Sequence, residues 1–395
     1  MTRIVEIRAA SVPLNTPIAN ALINFSQMNS SVVAVVAEKP DGARVAGFGF
    51  GSIGRYAQTE MIRERFAPRL LAAPPDDYND AEGLPDPLRC ETILRRNEKP
   101  GGHGERSVAL GAIDMALWDL VGRLRGEPLA QLVARRFGTG AADATVAVYA
   151  AGGYYHGQDD HAGLRDELCG YLDLGFESVK IKIGGAPLAA DLARIETAVA
   201  CVGDPARVAV DANGRFARDA ALEVTDALCG RGLRWLEEIG DPLDYALQAE
   251  VVQRYDGAIA TGENLFSVQD TANLLDFAGL RSDRDFLQMD PGLSYGVPEF
   301  LRILKAMDTR GWSSRRSVPH GGNLFNLHLA AGLHLHGTEA YPGVFAPLGG
   351  FGEAVRIERG RATLPDVPGI GWETKPDLMR TFCEHLEADA FASGS

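Results

Sequence analysis

The chain has 395 residues, 46% hydrophobic and 23% charged, a make-up suited to a large globular enzyme built as a barrel plus a smaller module. Its 53 acidic residues outnumber the 39 basic ones for a formal charge of −14, which speaks against nucleic-acid binding and requires any anionic ligand to be held by local positive charge. Five scattered cysteines without a C-x-x-C pair, an N-terminus that runs into charge at once, and no apolar stretch of about 18 residues point to a reduced, cytoplasmic chain with no membrane segment.

In chain order, the first elements are strand-like runs over Ile4–Leu14, Ser31–Glu38 and Val45–Phe50. Lys39-Pro40-Asp41-Gly42 joins the second and third as a hairpin, so this sheet is antiparallel. Helical patterns follow over Gln58–Leu71 and Ser107–Leu124, the latter apolar at Val108, Ile113, Leu117, Leu120 and Val121. From about Ala144 the texture changes. Short β-rich runs (Val146–Ala150, Ser178–Ile183, Val208–Val210, Leu233–Leu236, Ala258–Thr261, Phe286–Met289, Arg316–Pro319, Thr338–Tyr341) alternate with helical patterns such as His161–Leu174, Leu188–Val202, Asp219–Arg231 and Val297–Arg310. Such alternation means parallel strands with crossover helices, closed as an α/β barrel. The expected division is an α+β module over 1–143, the barrel over 144–349, and a C-terminal segment over 350–395 packing back on the first module.

Ionisable residues interrupt the apolar runs at their C-terminal ends. Lys180 and Lys182 stand two apart in Val179-Lys-Ile-Lys-Ile183, and so point to one face of their strand. Asp211, Glu237, Glu263, Asp290 and His320 then follow at intervals of 26–30 residues, the length of one strand–helix unit, and Glu339 closes the series. Each unit therefore delivers one functional group to the C-terminal face of the barrel, where barrel enzymes carry their sites. Asp211, Glu237 and Glu263 make an all-oxygen set suited to Mg²⁺, since no histidine pair or thiol stands near to favour zinc. A neighbouring ammonium and a nearby cation are expected to push Lys182 down towards neutrality, as a general base requires. His320, one strand beyond Asp290, reads as an acid whose tautomer the aspartate holds. His328, His334 and His336 read as packing residues.

One motif is set aside. Gly49-Phe-Gly-Ser-Ile-Gly54 matches a dinucleotide-binding fingerprint, but Pro74-Pro75 occupies the place of the required second parallel strand. It reads as a loop. Asn29-Ser30-Ser31 matches a glycosylation acceptor and is disregarded for want of a secretory context.

The K-x-K pair, the Asp/Glu/Glu set and the Asp–His dyad resemble, over nearly the whole chain, the enolase superfamily in its mandelate racemase subgroup. That resemblance implies a (β/α)7β TIM-like barrel under an α+β capping domain formed by the N-terminal segment and the C-terminal tail. It implies a Mg²⁺-dependent lyase whose base is Lys182, aided by Lys180, and whose acid is His320, supported by Asp290. The acid-sugar substrate would lose its α-proton, pass through an enediolate and shed its β-hydroxyl; the same pair also serves a racemase or epimerase. Asn97–Arg106, Tyr149–Tyr155, Asp211–Phe216, Gly240–Gln248 and Leu293–Gly296 further resemble the D-tartrate dehydratases of the subgroup. By that similarity Asn20 and Lys99 reach from the cap to the distal carboxylate of a diacid, with Asn213 and Glu339 as further substrate contacts. Ile53 stands where an asparagine would be expected. The subgroup's habits imply a homo-oligomer.

Overall fold

The structure is a computed structural model that describes residues 1–157 and 160–387; residues 388–395 of the C-terminal segment lie outside the described residues. The N-terminal module is built on three antiparallel strands, β1 (Arg3–Pro13), β2 (Asn29–Glu38) and β3 (Arg44–Phe50), in that spatial order. The continuous run Val32–Ala37 on β2 is buried on both faces. One face carries the long helix Glu105–Arg125, and the other meets the C-terminal segment. Among the first helices, Met61–Phe66 winds as a π-helix before Ala67–Leu71 continues as α. Pro68 has no N–H to give the carbonyl of Glu64, which removes one i→i+4 bond at that junction.

The second unit opens with β4 (Thr145–Ala151) and runs in parallel through β5 (Val179–Lys182), β6 (Val208–Asp211), β7 (Leu236–Glu237), β8 (Ile259–Thr261) and β9 (Phe286–Leu287). The last strand, β10 (Thr338–Ala340), pairs in parallel with β4 and closes the ring. Between β9 and β10 the expected strand Arg316–Pro319 is reduced to one bridge, Leu287 with Ser317, after a 3₁₀ turn over Ser314–Arg316. Pro319 itself cannot donate to a ladder, while Val318 and His320 on either side donate to Leu287 (2.8 Å) and Gln288 (3.3 Å). The gap is bridged by backbone bonds from His336 to Ser317 (3.1 Å) and from Glu339 to Pro319 (3.3 Å). Seven helices, among the described residues, alternate with these eight positions: Asp160–Asp173, Leu188–Val202, Arg218–Leu228, Tyr245–Arg254, Val268–Phe277, Val297–Asp308 and Leu324–Gly332. The result is the barrel expected from the strand–helix alternation, with the N-terminal module seated over it as a cap.

After the barrel the chain first forms a small hairpin, β11 (Ile357–Glu358) and β12 (Arg361–Thr363), whose second strand lies antiparallel to β4. It then reaches the cap. Trp372 donates to the Phe48 carbonyl at 2.8 Å, and Phe48 stacks on Phe382 with centroids 5.0 Å apart. Buried Asp119 on the long helix accepts from the backbone of Phe48 (2.9 Å) and Ile370 (2.8 Å), tying sheet, helix and C-terminal segment together. Lys375 donates to the carbonyls of Leu348, Gly349 and Gly350 at 3.1, 2.8 and 2.9 Å, pinning the segment to the loop that leaves the barrel. His328 has a matching structural role, bonded to Ala130 (3.1 Å) and Ile370 (3.0 Å).

The first glycine of the set-aside fingerprint has a packing cause. Gly49 lies on β3 directly beneath the long helix, and a Cβ there would stand 2.5 Å from the Ala112 carbonyl oxygen and 2.7 Å from the Ala116 nitrogen. Both are backbone atoms and cannot rotate away. Gly49→Val is therefore expected to lift the helix from the sheet and cost about 2–3 kcal/mol, read as a lowered denaturation midpoint; an unchanged midpoint would refute this account of the motif.

Candidate active site

β5, β6, β7 and β8 bring their polar ends to one mouth of the barrel. The side-chain oxygens of Asp211, Glu237 and Glu263 approach within 4.8 Å of one another, and no other group of three or more potential metal ligands forms among the described residues. Asp211 and Glu237 are fully buried, while Glu263 keeps 12% side-chain exposure. Oxygens around an octahedral Mg²⁺ stand roughly 3–4 Å apart. The triad is thus close to the required spacing and offers only hard donors. Its electrostatics also fit a cation, because burial and Asp211 raise Glu237 to about 8 despite the nearby Lys180 ammonium.

The two lysines of β5 sit among these carboxylates. Lys180 lies 2.5 Å from Glu237, 2.8 Å from Glu339 and 3.4 Å from Asp211, and Lys182 lies 2.6 Å from Asp211. The sequence suggests a lowered Lys182. The protein's own carboxylates act in the opposite direction. Burial, the largest influence, disfavours the ammonium, and Lys180 repels it, but Asp211 together with Tyr154 and Glu263 outweighs them and holds Lys182 above its ordinary range. Lys180 is likewise raised, with Glu237 and Glu339 overcoming burial. The physical reason is that these carboxylates serve the lysines directly as counter-ions.

Second partners hold each carboxylate in place. Glu237 accepts from the Trp235 indole (2.8 Å) and the Gln288 amide (2.8 Å). Asp211 accepts from the Asn213 backbone at 2.8 Å, and Asn213 itself is left-handed (φ 49°), a conformation that asparagine tolerates. Glu339, beside Lys180, accepts from the Gly321 N–H at 3.1 Å; against the cost of burial, Lys180 and His320 keep it at about 2.

Across the mouth, His320 Nδ1 pairs with Asp290 Oδ2 at 3.1 Å. Asp290 is locked from all sides: Ser52 Oγ donates to Oδ2 at 2.5 Å, while Gly292 N (2.8 Å) and Asn326 Nδ2 (3.1 Å) serve Oδ1. His320 Nε2 faces Tyr341 OH at 2.9 Å and lies 3.7 Å from Glu263. Burial works against the imidazolium, but Glu263, Glu339 and Asp290 raise His320 to about 10. These carboxylates favour the protonated ring.

Lys182 and His320 line one cavity of about 60 Å³, together with Asn20, Asn213 and Glu263. Asn20 donates to Asn213 at 3.1 Å across the cap–barrel boundary. Lys99 is not in this cavity. It is exposed on the wall of an outer cavity of about 1020 Å³, and its carbonyl accepts from Arg106 at 2.8 Å. The loop around it is held outward by that bond and by the ion pairs of Glu98 with Arg65 (2.6 Å) and Arg69 (2.8 Å). Ile53, 3% exposed, forms part of the inner wall.

Several residues at the site escaped the sequence reading. Tyr341 carried a signal, since it stands two residues after Glu339 and so continues the same face of the last strand. Ser52, Asn326 and Gln288 carried none, because nothing in a loop serine, a helix asparagine or a strand glutamine announces its partner.

Comparison with known proteins agrees with this geometry. Residues 3–134 match the N-terminal domain of the mandelate racemase / muconate lactonizing enzymes, and residues 163–378 match the enolase C-terminal domain-like family. An L-talarate/galactarate dehydratase of Salmonella typhimurium is 28% identical over 385 residues, 95% of this chain and 89% of that protein. An arabinonate dehydratase of Saccharolobus solfataricus is 28% identical over 380 residues, 92% of this chain and 94% of that protein. The crystal structure of an L-talarate dehydratase from Polaromonas sp. JS666, complexed with Mg and L-glucarate, superposes with a TM-score of 0.75 at 26% identity, covering 94% of this chain and 95% of the other. Cap, barrel, carboxylate triad and family matches together place this chain in the enolase superfamily, within the mandelate racemase/muconate lactonizing enzyme subgroup.

Proposed function

We propose that this protein is a Mg²⁺-dependent dehydratase of an acid sugar, converting it to a 2-keto acid and water. The observation that carries the reading is that Lys182, His320 and Glu263 line one small cavity, with Glu263 joined behind that wall to Asp211 and Glu237 in a single carboxylate triad. The names of the relatives and the Mg-bound neighbour support the same class of chemistry. D-tartrate, suggested by the resembling stretches, is the first substrate to test and would yield oxaloacetate; galactarate, talarate and arabinonate follow from the relatives' names.

Asp211, Glu237 and Glu263 would hold the ion, which supplies positive charge where negative charge builds on the substrate carboxylate as its α-proton leaves. Lys182 takes that proton. To do so it must start neutral, and it loses its counter-ion when Asp211 is engaged elsewhere, leaving Lys180 as a repelling neighbour. The electron pair released at the α-carbon forms the new C=C bond and the β C–O bond breaks. His320 delivers its proton to the departing hydroxyl, which leaves as water. Glu339 and Lys180 flank the charge that develops on the carboxylate. The enol then tautomerises to the 2-keto acid. Asp290 keeps Nδ1 occupied, so that Nε2 is the nitrogen that works.

Two variants separate the steps. Lys182→Ala is expected to cost roughly 10²–10⁴-fold in both α-proton exchange with deuterated water and keto-acid formation, with an unchanged circular dichroism spectrum. His320→Asn is expected to retain exchange and lose keto-acid formation. Exchange at the normal rate in Lys182→Ala would show that the base is misassigned, and an inverted stereocentre in place of a keto acid would make the enzyme a racemase or epimerase.

Chelation supplies a further check. Removing divalent ions with EDTA is expected to abolish turnover, and restoring Mg²⁺ to recover it. At a hundredfold excess over its Kd the ion is expected to add about 2.7 kcal/mol of stability, visible as a raised melting temperature in the native protein and absent in Asp211→Asn. Full activity in EDTA would end the proposal.

A further inference from the structure

We propose that Arg55, on the cap loop that follows β3, recognises a second, distal carboxylate of the substrate and so makes this site one for hydroxy diacids rather than monoacids. The inference rests on the dehydratase reading above and names its substrate class.

Much of the inner cavity's wall is apolar, with Ile23, Phe25, Ile53, Leu293 and Phe345 among its lining. Of the two cap residues that sequence similarity suggests for a distal carboxylate, Lys99 lies outside the cavity. The Asn20 amide is neutral and partly committed, its Nδ2 giving one N–H to Asn213 (3.1 Å) and its Oδ1 accepting from the backbone of Leu22 (2.9 Å) and Ile23 (2.7 Å). The cationic side chains that line the inner cavity are Lys182, His320 and Arg55. The first two are engaged in the proton transfers. Arg55 remains.

Its setting is that of a held but unneutralised charge. Arg55 Nη2 donates to Asn264 Oδ1 at 2.6 Å and Nη1 to the Gly54 carbonyl at 2.7 Å, both neutral acceptors. Among the described residues no carboxylate pairs with it. The other arginines on the outer cavity differ: Arg95 pairs with Glu299 at 2.7 Å, and Arg106 with Glu98 at 3.4 Å. The guanidinium also lies over the Phe266 ring, 5.0 Å from its centroid. Asn264 is itself fixed, its Nδ2 donating to both oxygens of buried Glu238 at 3.0 and 2.8 Å, so that its oxygen must face Arg55. Asn264 directly follows the triad residue Glu263. A short rigid path thus sets the distance from the ion site to the guanidinium. Two bonds leave three of the five guanidinium N–H groups for a ligand, and the planar fork suits a carboxylate. In a chain of net charge −14, an arginine left without an acidic partner at a cavity wall is best explained by an anion that comes and goes.

The test compares matched acids that differ only at the distal carbon: tartrate against threonate, and galactarate against galactonate, each binding measured by calorimetry with saturating Mg²⁺. The native protein is expected to prefer at least one diacid over its partner by about ten- to hundredfold. In Arg55→Gln that ratio is expected to fall towards one, and in Arg55→Lys to stay intermediate. Mg²⁺ affinity and melting temperature are read on each variant, so that misfolding is not mistaken for lost recognition. A ratio unchanged in Arg55→Gln, or a native protein that prefers the monoacids, would overturn the proposal for Arg55 while leaving the dehydratase reading intact. Mg²⁺-independent or absent binding of all four acids would overturn both.

Discussion

Three carboxylates buried within 4.8 Å of one another are the constraint around which this molecule is arranged. Each pair of like charges at that distance repels by roughly 3–4 kcal/mol at an effective dielectric near 20, so the triad persists only with positive charge beside it. Lys180 and Lys182 provide that charge from the neighbouring strand, and Glu339 shares Lys180 from the other side. The same balance ties structure to chemistry. A lysine paired with Asp211 is a poor base, and any cation that engages the triad's oxygens frees it. Base strength and ion binding are thus two readings of a single set of ion pairs.

The acid side is built in the opposite way. Asp290 has its bonds to His320, Ser52, Gly292 and Asn326 all satisfied, so it cannot turn, and the ring it supports has one free direction. Ser52 belongs to the cap and Asp290 to the barrel. The orientation of the His320 ring therefore depends on the cap being seated. Helix-on-loop packing assists, because Gly111 of the long helix approaches the Gly292 carbonyl so closely that a Cβ would stand 2.3 Å from it. Asp114, one turn along, accepts from Val297 N at 2.7 Å at the start of the next barrel helix.

A division of labour follows. Barrel strand ends hold the carboxylates, lysines and histidine of the site, and cap loops supply part of the cavity wall. Ile53 and Arg55, two residues apart on one loop, give that cavity an apolar side chain and a guanidinium from the cap. The C-terminal segment braces this arrangement through Trp372 against Phe48 and through Lys375 against the carbonyls of residues 348–350.

The sequence by itself determined the parts that depend on local periodicity. Alternation of strand and helix, the two-residue spacing of Lys180 and Lys182, and the recurrence of one ionisable group per unit are one-dimensional records of a barrel whose strand ends converge. Barrel, triad and dyad were legible for that reason. Tertiary structure alone decided the rest. Whether Lys182 is raised or lowered depends on which charge lies nearest, and Asp211 proved nearer than any repulsion that spacing could suggest. Lys99 and Arg55 lie on loops whose reach follows no period. Only the packed cap put one outside the cavity and the other on its wall, because through-space distance, which no linear spacing encodes, governs both electrostatics and contact.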